Sequence, residues 1–375
     1  MSSPTFDVVI VGAGIVGSAC ADECVREGLK TAIVEAKIVG GGATAAGMGH
    51  LVVMDDSEAQ FALTSYSCKL WSELKEELPR EIEYEACGTI WVASDDDEMA
   101  EVHRKDNYYR ERSVPVEVLD TRALKEAEPN LRSGLAGGLR VPNDSVIYPP
   151  CGAKFFVERA VSRGATLILG RKVREIEAGG LRLDDETFIS AGLIVNAAGS
   201  WSPLLTSGID VKKRKGHLLI TDRYPTFVKH QLVELGYLKS AHSVTDDSVA
   251  FNIQPRKTGQ MLIGSSRQYG VESADIDTPI LKRMLNRAIE YMPGLATLSS
   301  IRTWTGFRAA TPDKLPLIGP DILNPKLYLA TGHEGLGITT SLATAKLLVD
   351  QIVGRQSAIP VEPYLPARVT ELSHA

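Results

Sequence analysis

Apolar residues run without interruption from position 8 to position 11, and a glycine-rich turn follows at once. A continuous apolar run of this length is typical of a parallel strand that is buried on both faces. A second apolar run, over 31–34, ends at Glu35 and predicts the next strand. A helix is expected between the two, beginning at the glycine turn. The pattern therefore predicts a β-α-β unit over residues 6–35.

Beyond residue 35 the spacing of apolar positions predicts further helices and strands. The clearest helix, over 57–78, has apolar residues near the helical period and stops before Pro79. A glycine-rich loop is expected over 40–50, and Tyr269 lies in a predicted loop. Helices are also predicted over 95–112, 151–163 and 278–292 and after 337 through about 353, with strands over 88–93, 116–119, 166–169, 173–177, 193–196, 217–221, 249–254, 261–264 and 327–330.

The β-α-β signals recur at the beginning, in the middle and at the end of the chain, and strand-rich blocks separate them. This alternation predicts an α/β protein with α+β elements, in which two domains are interleaved. A Rossmann-like dinucleotide-binding domain is predicted over 1–82, 145–210 and 305–365. A mixed β-sheet domain is predicted over 83–144 and 211–304.

The glycines of the first turn carry specific chemistry. Gly12 allows the tight turn, Gly14 lets the backbone approach a pyrophosphate, and Gly17 lets the helix pack against the strand. The helix N-terminus then offers N–H groups and a partial positive charge to the pyrophosphate. Glu35 can accept hydrogen bonds from a ribose 2′-hydroxyl, which disfavours NADP. These residues predict a dinucleotide site and leave NAD and FAD both open.

The composition of the 375 residues argues against several classes of function. The net charge of −6 provides no basic surface for nucleic acid or acidic lipid. No apolar stretch approaches the roughly 20 residues of a membrane helix. The five cysteines are scattered, and without a signal peptide they are expected to be reduced thiols in the cytoplasm. Cys20 and Cys24 share a helix face without a CxxC pair, so packing roles are expected and no metal site is predicted.

Several further segments, together with the first glycine loop and Glu35, match a known family in order and spacing over nearly the whole chain. The sequence resembles the FAD-dependent D-amino acid oxidase superfamily, which includes glycine oxidase. Within it, the loop over 41–51 resembles the flavin β-subunits of D-hydroxyproline and related proline or opine dehydrogenases. The matching segments are Ala46-Gly47-Met48-Gly49, Asn196-Ala-Ala-Gly199-Ser-Trp201, Gly306-Phe-Arg308, Thr311-Pro-Asp313, Leu317-Ile-Gly319 and Gly332-His333-Glu-Gly335-Leu-Gly337-Ile-Thr.

The resemblance implies a fold of the glycine oxidase type, with an FAD-binding domain and a substrate domain, and it selects FAD over NAD. Non-covalent FAD is expected because no cysteine stands at the family's usual C-terminal attachment position, while His50 near the flavin loop leaves covalent attachment open. Val173 would contact adenine through its backbone, with its side chain in the core. The residues expected to contact FAD are Gly12, Gly14, Ile15, Val16, Gly17, Glu35, Ala36, Thr44, Ala45, Ala46, Gly47, Met48, Val173, Ala197, Gly199, Trp201, Gly335, Leu336, Gly337, Ile338 and Thr339.

Arg308 is the expected substrate anchor, because the family places an arginine there for the substrate carboxylate. The planar fork of a guanidinium matches a carboxylate in two parallel hydrogen bonds. A salt bridge at the surface or between domains is the alternative for Arg308. His333, His50 and Tyr269 are further candidates to line the pocket, and structural roles are the alternative for each. His217 is a weaker candidate on a predicted strand.

The family reaction oxidises a C–N bond by hydride transfer to flavin N5 and needs no strong base. The resemblance implies a D-hydroxyproline or other D-amino acid dehydrogenase that gives an imine or a pyrroline carboxylate. The alternatives are a hydrogen peroxide-producing oxidase of glycine- or sarcosine-like amines, an L-proline or opine dehydrogenase subunit, and a flavoprotein that only relays electrons. The resemblance also admits oligomers and electron-accepting partner subunits with flavin or iron–sulfur centres, which would hold a cytoplasmic protein at the inner membrane.

Overall fold

The computed structural model describes residues 5–236 and 247–372. The strands of these residues form three sheets, of eight, nine and two strands. None of the helices in the described ranges combines the length and the apolar character needed to cross a membrane. The same residues contain no cluster of three or more histidine, cysteine or acidic side chains that is arranged to hold a metal ion.

The described residues contain nineteen strands and nine α-helices. The strands are β1 (Phe6–Val11), β2 (Thr31–Glu35), β3 (His50–Leu51), β4 (Thr89–Ala93), β5 (Glu117–Asp120), β6 (Gly137–Val141), β7 (Ser145–Val146), β8 (Thr166–Leu169), β9 (Val173–Glu177), β10 (Gly180–Leu183), β11 (Phe188–Asn196), β12 (Lys212–Thr221), β13 (Gln231–Glu234), β14 (Ser248–Pro255), β15 (Met261–Tyr269), β16 (Ser300–Ala310), β17 (Leu317–Pro320), β18 (Leu327–Thr331) and β19 (His333–Glu334). The helices are α1 (Ile15–Arg26), α2 (Gly42–Ala46), α3 (Glu58–Leu74), α4 (Asp96–Glu111), α5 (Thr121–Ala127), α6 (Pro149–Ser162), α7 (Thr278–Tyr291), α8 (Gly337–Val353) and α9 (Ala367–Leu372).

Two elements that carry predicted site residues differ from the sequence-based expectation. The predicted glycine loop over 40–50 contains the short helix α2, which begins after Gly41. Tyr269, expected in a loop, is instead the last residue of β15, which extends five residues beyond its predicted end at 264. β15 pairs with β12 on one side and with β14 on the other, so the backbone N–H and C=O groups of residues 265–269 find hydrogen-bond partners in the sheet. The side chains of this stretch are mostly polar, and for that reason the sequence does not indicate a strand there.

The chain folds into two compact units, each formed from separated segments. Unit 1 contains residues 1–82, 147–213 and 307–375, and unit 2 contains residues 83–146 and 214–306. The sequence predicts that the chain passes from one domain to the other at residues 145, 211 and 305. In the structure the corresponding segments begin at residues 147, 214 and 307. The assignment of the cofactor to the first unit and the substrate to the second stays a prediction.

Unit 1 is built on a largely parallel sheet. Its strands lie in the order β17-β18-β11-β1-β2-β8, and the pairs from β18 to β8 are parallel. Val8, Val9 and Ile10 at the centre of β1 are completely buried, which accounts for the unbroken apolar run in the sequence. Because β1 and β11 are neighbours, the loops after their carboxyl ends approach each other, and ligands bind at such loops in parallel sheets.

Unit 2 is built on a mixed sheet in the order β16-β12-β15-β14-β13-β4-β6-β5. One face packs against α5 and α7 and forms the hydrophobic core of the unit. In this core the ring of Phe251 on β14 stacks on Tyr291 of α7 with the ring centroids 4.6 Å apart. α4 contacts β4, β5 and β6, and its Lys105 ammonium lies 5.0 Å from the ring centroid of Trp91.

Buried ion pairs attach α1 to α6 in unit 1. The Asp22 carboxylate, with 4% of its side chain exposed, accepts hydrogen bonds from Arg159 at 2.6 and 2.9 Å and from Arg163 at 2.8 Å. We expect Asp22→Ala to lower the free energy of unfolding by about 3 kcal/mol, because the largely buried Arg159 guanidinium loses its main partner and keeps only a 3.4 Å contact with the exposed Glu77. Urea unfolding measures the loss.

Glu158→Ala on α6 is the matched control for Asp22→Ala. Its ion pair with Lys154 spans 3.5 Å and both side chains are about two-thirds exposed, at 66% and 67%. An exposed pair of this kind contributes about 0.5 kcal/mol or less. Equal losses in the two variants would contradict a stabilising role for the buried Asp22 pairs.

Candidate cofactor and substrate site in unit 1

The turn after β1 brings three backbone segments to distances that exclude side chains. Gly12 has a φ of +101°, and a Cβ added to it would lie 2.8 Å from the carbonyl oxygen of Ala197. A Cβ on Gly17 would lie only 2.0 Å from the carbonyl oxygen of Gly12. The Ala197 N–H in turn donates to the Val11 carbonyl at 3.0 Å. Glycine is therefore required at both positions for α1 to pack on the turn.

The N-terminus of α1 is arranged to receive an anion. Its cap residue, Gly14, has no side chain, and the first turn contains no acidic residue. The Ile15 N–H donates to the hydroxyl of Thr44 at 3.0 Å, so the α2 segment lies against this terminus. The Glu35 carboxylate accepts the Ala13 N–H at 2.8 Å. This places the predicted ribose ligand at the edge of the turn.

Asn196 stabilises the loop that follows β11, which contains the predicted cofactor residues Ala197, Gly199 and Trp201. Its amide donates to the Ser202 carbonyl at 3.0 Å and to the Thr206 hydroxyl at 2.9 Å, while its oxygen accepts the Ala198 N–H at 3.2 Å. The Thr331 hydroxyl donates to the Gly199 carbonyl at 3.0 Å and accepts from the Ser202 hydroxyl. Sequence reasoning missed Ser202, Thr206 and Thr331, because small hydroxyl residues in loops carry no signal of a buried network.

The segment over 332–336, which is also predicted to contact FAD, brings the start of α8 close to the start of α1. A Cβ on Gly337 would lie 3.8 Å from Cγ2 of Val16, which follows the first residue of α1. A Cβ on Gly47 would lie 2.6 Å from Cδ1 of Ile338. The Thr339 hydroxyl donates to the His50 carbonyl at 2.8 Å. The starts of α1 and α8 and the segment over 44–50 therefore converge.

The remaining predicted cofactor residues differ in burial. The Val173 side chain is buried in the core beside Leu181 and Leu183, as expected. Trp201 is 44% exposed, and its ring lies 3.4 Å from the position of a Cβ on Gly42. Among the others, Met48 is buried, Ala46 and Leu336 are half-buried, and Ala36, Ala45 and Gly335 are exposed.

Arg308 lies on β16, beside the segment over 332–336 that leads into α8. The next residue, Ala309, pairs with Glu334 of β19, which has a left-handed φ of 52°. A Cβ on Gly335 would lie 3.7 Å from Nε and 3.8 Å from Cδ of Arg308. The half-buried Arg308 side chain therefore contacts the loop that leads into α8.

A model of the family described as FAD dependent oxidoreductase (DAO) matches residues 7–351. The chain belongs to this DAO family. Hydrogen cyanide synthase subunit HcnC of Pseudomonas aeruginosa is 27% identical over 97% of this chain and 96% of its own. A D-amino acid dehydrogenase of Rhizorhabdus wittichii is 28% identical over 79% of this chain and 71% of its own. The crystal structure of glycine oxidase from Geobacillus kaustophilus matches with a TM-score of 0.86 and 26% identity, covering 97% and 98% of the two chains.

These matches confirm the expected superfamily, the glycine oxidase type of fold, an oxidoreductase activity and FAD as the cofactor. The residues of this DAO family member fit that cofactor. The turn at Gly12, Gly14 and Gly17 would hold the pyrophosphate at the start of α1, whose cap residue Gly14 has no side chain. Non-covalent attachment stays a prediction, and so does each residue's contact with FAD.

Both candidate histidines of unit 1 are neutral at neutral pH. Burial lowers the pKa of His333 to about 3 and that of His50 to about 4. His333 Nε2 lies 3.0 Å from the Thr344 hydroxyl of α8, a contact that ties the loop to the helix. His50 Nε2 is buried and has no hydrogen-bond partner within the described ranges. His50 therefore offers an available hydrogen-bonding atom, whereas His333 uses one of its nitrogens structurally.

Tyr269 and His217 belong to unit 2. The Arg214 guanidinium lies 4.7 Å from the centroid of the Tyr269 ring, at the paired ends of β12 and β15. His217 is fully buried, and its Nδ1 lies 2.9 Å from the Ser266 hydroxyl. Its Nε2 accepts the Asp277 N–H at 3.0 Å. Both ring nitrogens of His217 thus have structural partners, whereas the role of Tyr269 in the site stays a prediction.

The lowered pKa of His333 predicts an acid-sensitive fold. A histidine whose pKa is lower in the folded state than its ordinary 6.5 contributes stability that is present above pH 6.5 and lost as the pH falls toward 3. Between pH 7.5 and pH 4 this residue alone is expected to remove about 3 kcal/mol from the free energy of unfolding. In His333→Gln that loss should be smaller by this amount, as measured by urea unfolding at each pH.

His103→Gln is the control, because His103 is exposed on α4. Its unfolding free energy should follow the wild-type pH dependence. Parallel pH profiles for His333→Gln and the wild-type protein would show that His333 titrates normally.

Proposed function

We propose that this DAO family member is an FAD-dependent dehydrogenase of a small amino acid, with D-hydroxyproline or a related D-amino acid as substrate. It would oxidise the C–N bond and release an imine or a pyrroline carboxylate. The observation that carries the proposal is the position of Arg308, whose Nε lies 3.7 Å from a Cβ built on Gly335, at the loop that begins α8. The names of the amino acid-oxidising relatives support this choice of substrate class.

Arg308 suits a carboxylate at this position. It is always charged, and its rigid fork donates two parallel hydrogen bonds, which fixes both the place and the orientation of an α-amino acid. Because its side chain is half-buried, the interaction is less screened than at the surface. The role proposed for Arg308 is therefore to hold the α-carbon in one orientation.

The proposed reaction does not require a strongly acidic or basic side chain of the protein. Bound FAD supplies the two-electron acceptor. The substrate amine reacts in its neutral form, and the neutral imidazoles of His50 and His333 add no positive charge that would oppose its binding. His50 Nε2 is proposed to donate or accept a hydrogen bond in the loaded site, and Tyr269 to line the substrate side. His333 is proposed to position the loop before α8.

Electron-accepting partner subunits are part of the proposal. One relative is named as a subunit of hydrogen cyanide synthase, which supports a role within a larger assembly. A cytoplasmic location, with attachment to the inner membrane through such partners, is the corresponding proposal. The alternative is a self-sufficient oxidase that passes electrons to oxygen, as the glycine oxidase relative named above favours. An L-proline or opine dehydrogenase subunit is the second alternative.

Anaerobic titration of the purified holoprotein tests these proposals. The panel contains both enantiomers of proline, the hydroxyproline epimers, glycine, sarcosine and opines, and loss of flavin absorbance identifies the substrate. Fastest bleaching by a D-configured cyclic amino acid, with little peroxide under air, is the expected result. Stoichiometric peroxide would establish the oxidase alternative. A flavin that no amino acid reduces would contradict the proposed substrate class.

A further inference from the structure

A cleft on unit 1 lies outside the candidate cofactor site. Its volume is about 340 Å³, within the range of about 300–1,000 Å³ that small-molecule sites occupy. Residues of α1 and α8, of α6 and its C-terminal end, and of the end of α3 and the turn after it line the cleft. Its residue Asp22 lies well beyond Ile15, the first residue of α1, at about 10 Å along the helix axis. The cleft and the predicted FAD contacts share no residue.

The cleft has an apolar part. Its apolar lining residues belong to α1, α3 and α8 and are Ala19, Leu70, Leu74, Leu342 and Ala345. Two of them are alanines, on helices α1 and α8 that pack against each other, and their short side chains leave space in the cleft. An aliphatic group of a ligand can therefore be removed from water there.

The cations of the cleft are held by two buried carboxylates of α1. Asp22 and Glu23 each accept hydrogen bonds from two cationic side chains. These are Arg159 and Arg163 on Asp22, and Lys346 and Arg26 on Glu23, at distances of 2.5 to 3.0 Å. Two cations for each buried carboxylate leave this side of the cleft with an excess of positive charge.

Arg163 keeps N–H donors for a further partner. It follows the last residue of α6, and its side chain is 41% exposed. Within the described ranges its guanidinium makes one hydrogen bond, from Nη1 to Asp22 at 2.8 Å. A guanidinium has more donors than this bond uses, and they are arranged to pair with a carboxylate. Arg163 therefore offers a place for an anionic group at the opening of the cleft.

The α3 side of the cleft carries the opposite charge. Glu73 is exposed, and its ion pair with Lys69 spans 3.9 Å. Glu77, in the turn after α3, is also exposed and lies 3.4 Å from Arg159. Neither carboxylate has a further ion pair among residues 5–236 and 247–372. Because long, exposed pairs contribute little, both carboxylates can receive an ammonium group.

The two charged sides lie within reach of one small molecule. Arg159 contacts Asp22, the partner of Arg163, and also Glu77. Arg163 and Glu77 are therefore separated by little more than one guanidinium and one carboxylate. The whole lining carries four cations and four carboxylates, so a molecule with a net charge of either sign gains little from it. A molecule that carries both charges a few ångströms apart matches it.

We propose that this cleft binds a free α-amino acid in its zwitterionic form. The carboxylate of the ligand pairs with Arg163, its ammonium group pairs with Glu73 and Glu77, and its side chain lies on the apolar part of the cleft. This second amino acid site is separate from the candidate cofactor site, so the inference does not rest on the proposed function.

Isothermal titration of the FAD-loaded protein with 2-aminoisobutyrate tests the proposal. This zwitterion has no α-hydrogen, so a flavin cannot take a hydride from it, and binding is measured without turnover. We expect saturable binding. Acetate and methylammonium, which each carry one of the two charges, should bind about tenfold more weakly or worse, because each loses one set of charge-assisted hydrogen bonds.

Two variants locate the binding in the cleft. Arg163→Gln and the double variant Glu73→Gln/Glu77→Gln should each weaken 2-aminoisobutyrate binding by about tenfold or more. The glutamates are exposed, so the double variant carries the test should Arg163→Gln fail to fold. Lys154→Gln on α6 and Glu76→Gln beside Glu77 are the matched controls. Both side chains are exposed and lie outside the cleft lining, so their affinities should equal that of the wild type.

Three results would overturn the proposal. One is the absence of binding, and another is acetate binding as tightly as 2-aminoisobutyrate, which would make the cleft a simple anion site. The third is 2-aminoisobutyrate binding that both cleft variants leave unchanged, which would place the amino acid elsewhere on the protein. Flavin reduction by the amino acid panel is measured separately, so the proposed function stands or falls independently of these results.

Discussion

Gly17→Ala is expected to yield a folded protein that no longer retains FAD. The new Cβ would lie 2.0 Å from the carbonyl oxygen of Gly12, well inside the distance at which carbon and oxygen atoms pack. Because the clash involves backbone on both sides, α1 must move away from β1, and the N–H groups that would receive the pyrophosphate move with it. Overpacking of this kind costs about 3 kcal/mol, which weakens FAD binding by roughly 100-fold.

The ratio of flavin to protein absorbance after gel filtration measures this loss, and circular dichroism reports whether the apoprotein is folded. Gly28→Ala is the control: Gly28 also has a positive φ, +79°, but nothing lies within 4 Å of its Cβ position. The control should lose about 1–2 kcal/mol of stability and keep its FAD. Stoichiometric FAD on Gly17→Ala would contradict the packing argument.

Arg308→Ala is expected to weaken binding of the carboxylate substrate by about 2–5 kcal/mol, or roughly 30- to 5000-fold. The physical reason is the loss of the proposed pair of charge-assisted hydrogen bonds from a half-buried guanidinium. The measurement is the dissociation constant from anaerobic flavin titration, with the amino acid that reduces the wild-type flavin fastest. An amine of the same shape without a carboxylate, such as pyrrolidine against proline, should lose little. The preference for the carboxylated member should therefore disappear.

Two variants separate recognition from structure at Arg308. Arg308→Lys keeps the charge but not the fork, so its affinity should be intermediate. Arg302→Ala changes an exposed arginine of the same strand, whose guanidinium lies 5.3 Å from the Trp304 ring centroid, and should leave substrate affinity unchanged. A fall in melting temperature with an unchanged carboxylate preference would assign Arg308 to a structural ion pair.

Local sequence pattern was sufficient for the first β-α-β unit. The run over 8–11 is completely or almost completely buried on β1, and the spacing of Gly12 and Gly17 reports a contact between residues five positions apart. Such features depend on neighbours in the chain, so they can be predicted from it. The resemblance to the family extended the prediction to Arg308 and to the loop before α8, which local pattern alone would not have selected.

Other features of the two units depend on residues far apart in the chain. The polar end of β15 is a strand only because β12 and β14 flank it, and this moved Tyr269 out of its predicted loop. Thr331 joins the loop at Gly199 through a hydrogen bond across 132 positions. Neither periodicity nor residue type indicates such partners, because a hydroxyl or a short polar run has the same appearance in a solvated loop.

The sequence by itself determined the glycine turn between β1 and α1 and the strand before it, since glycine at each close approach and an apolar run in a buried strand are local requirements of backbone geometry. Only the tertiary structure decided the state of the buried polar groups. Burial in the assembled unit makes His333 neutral, and both ring nitrogens of the buried His217 have partners that lie 49 and 60 positions away in the chain. The physical reason is that hydrogen bonding and desolvation depend on which distant residues surround a side chain, and the chain sets those surroundings only by folding.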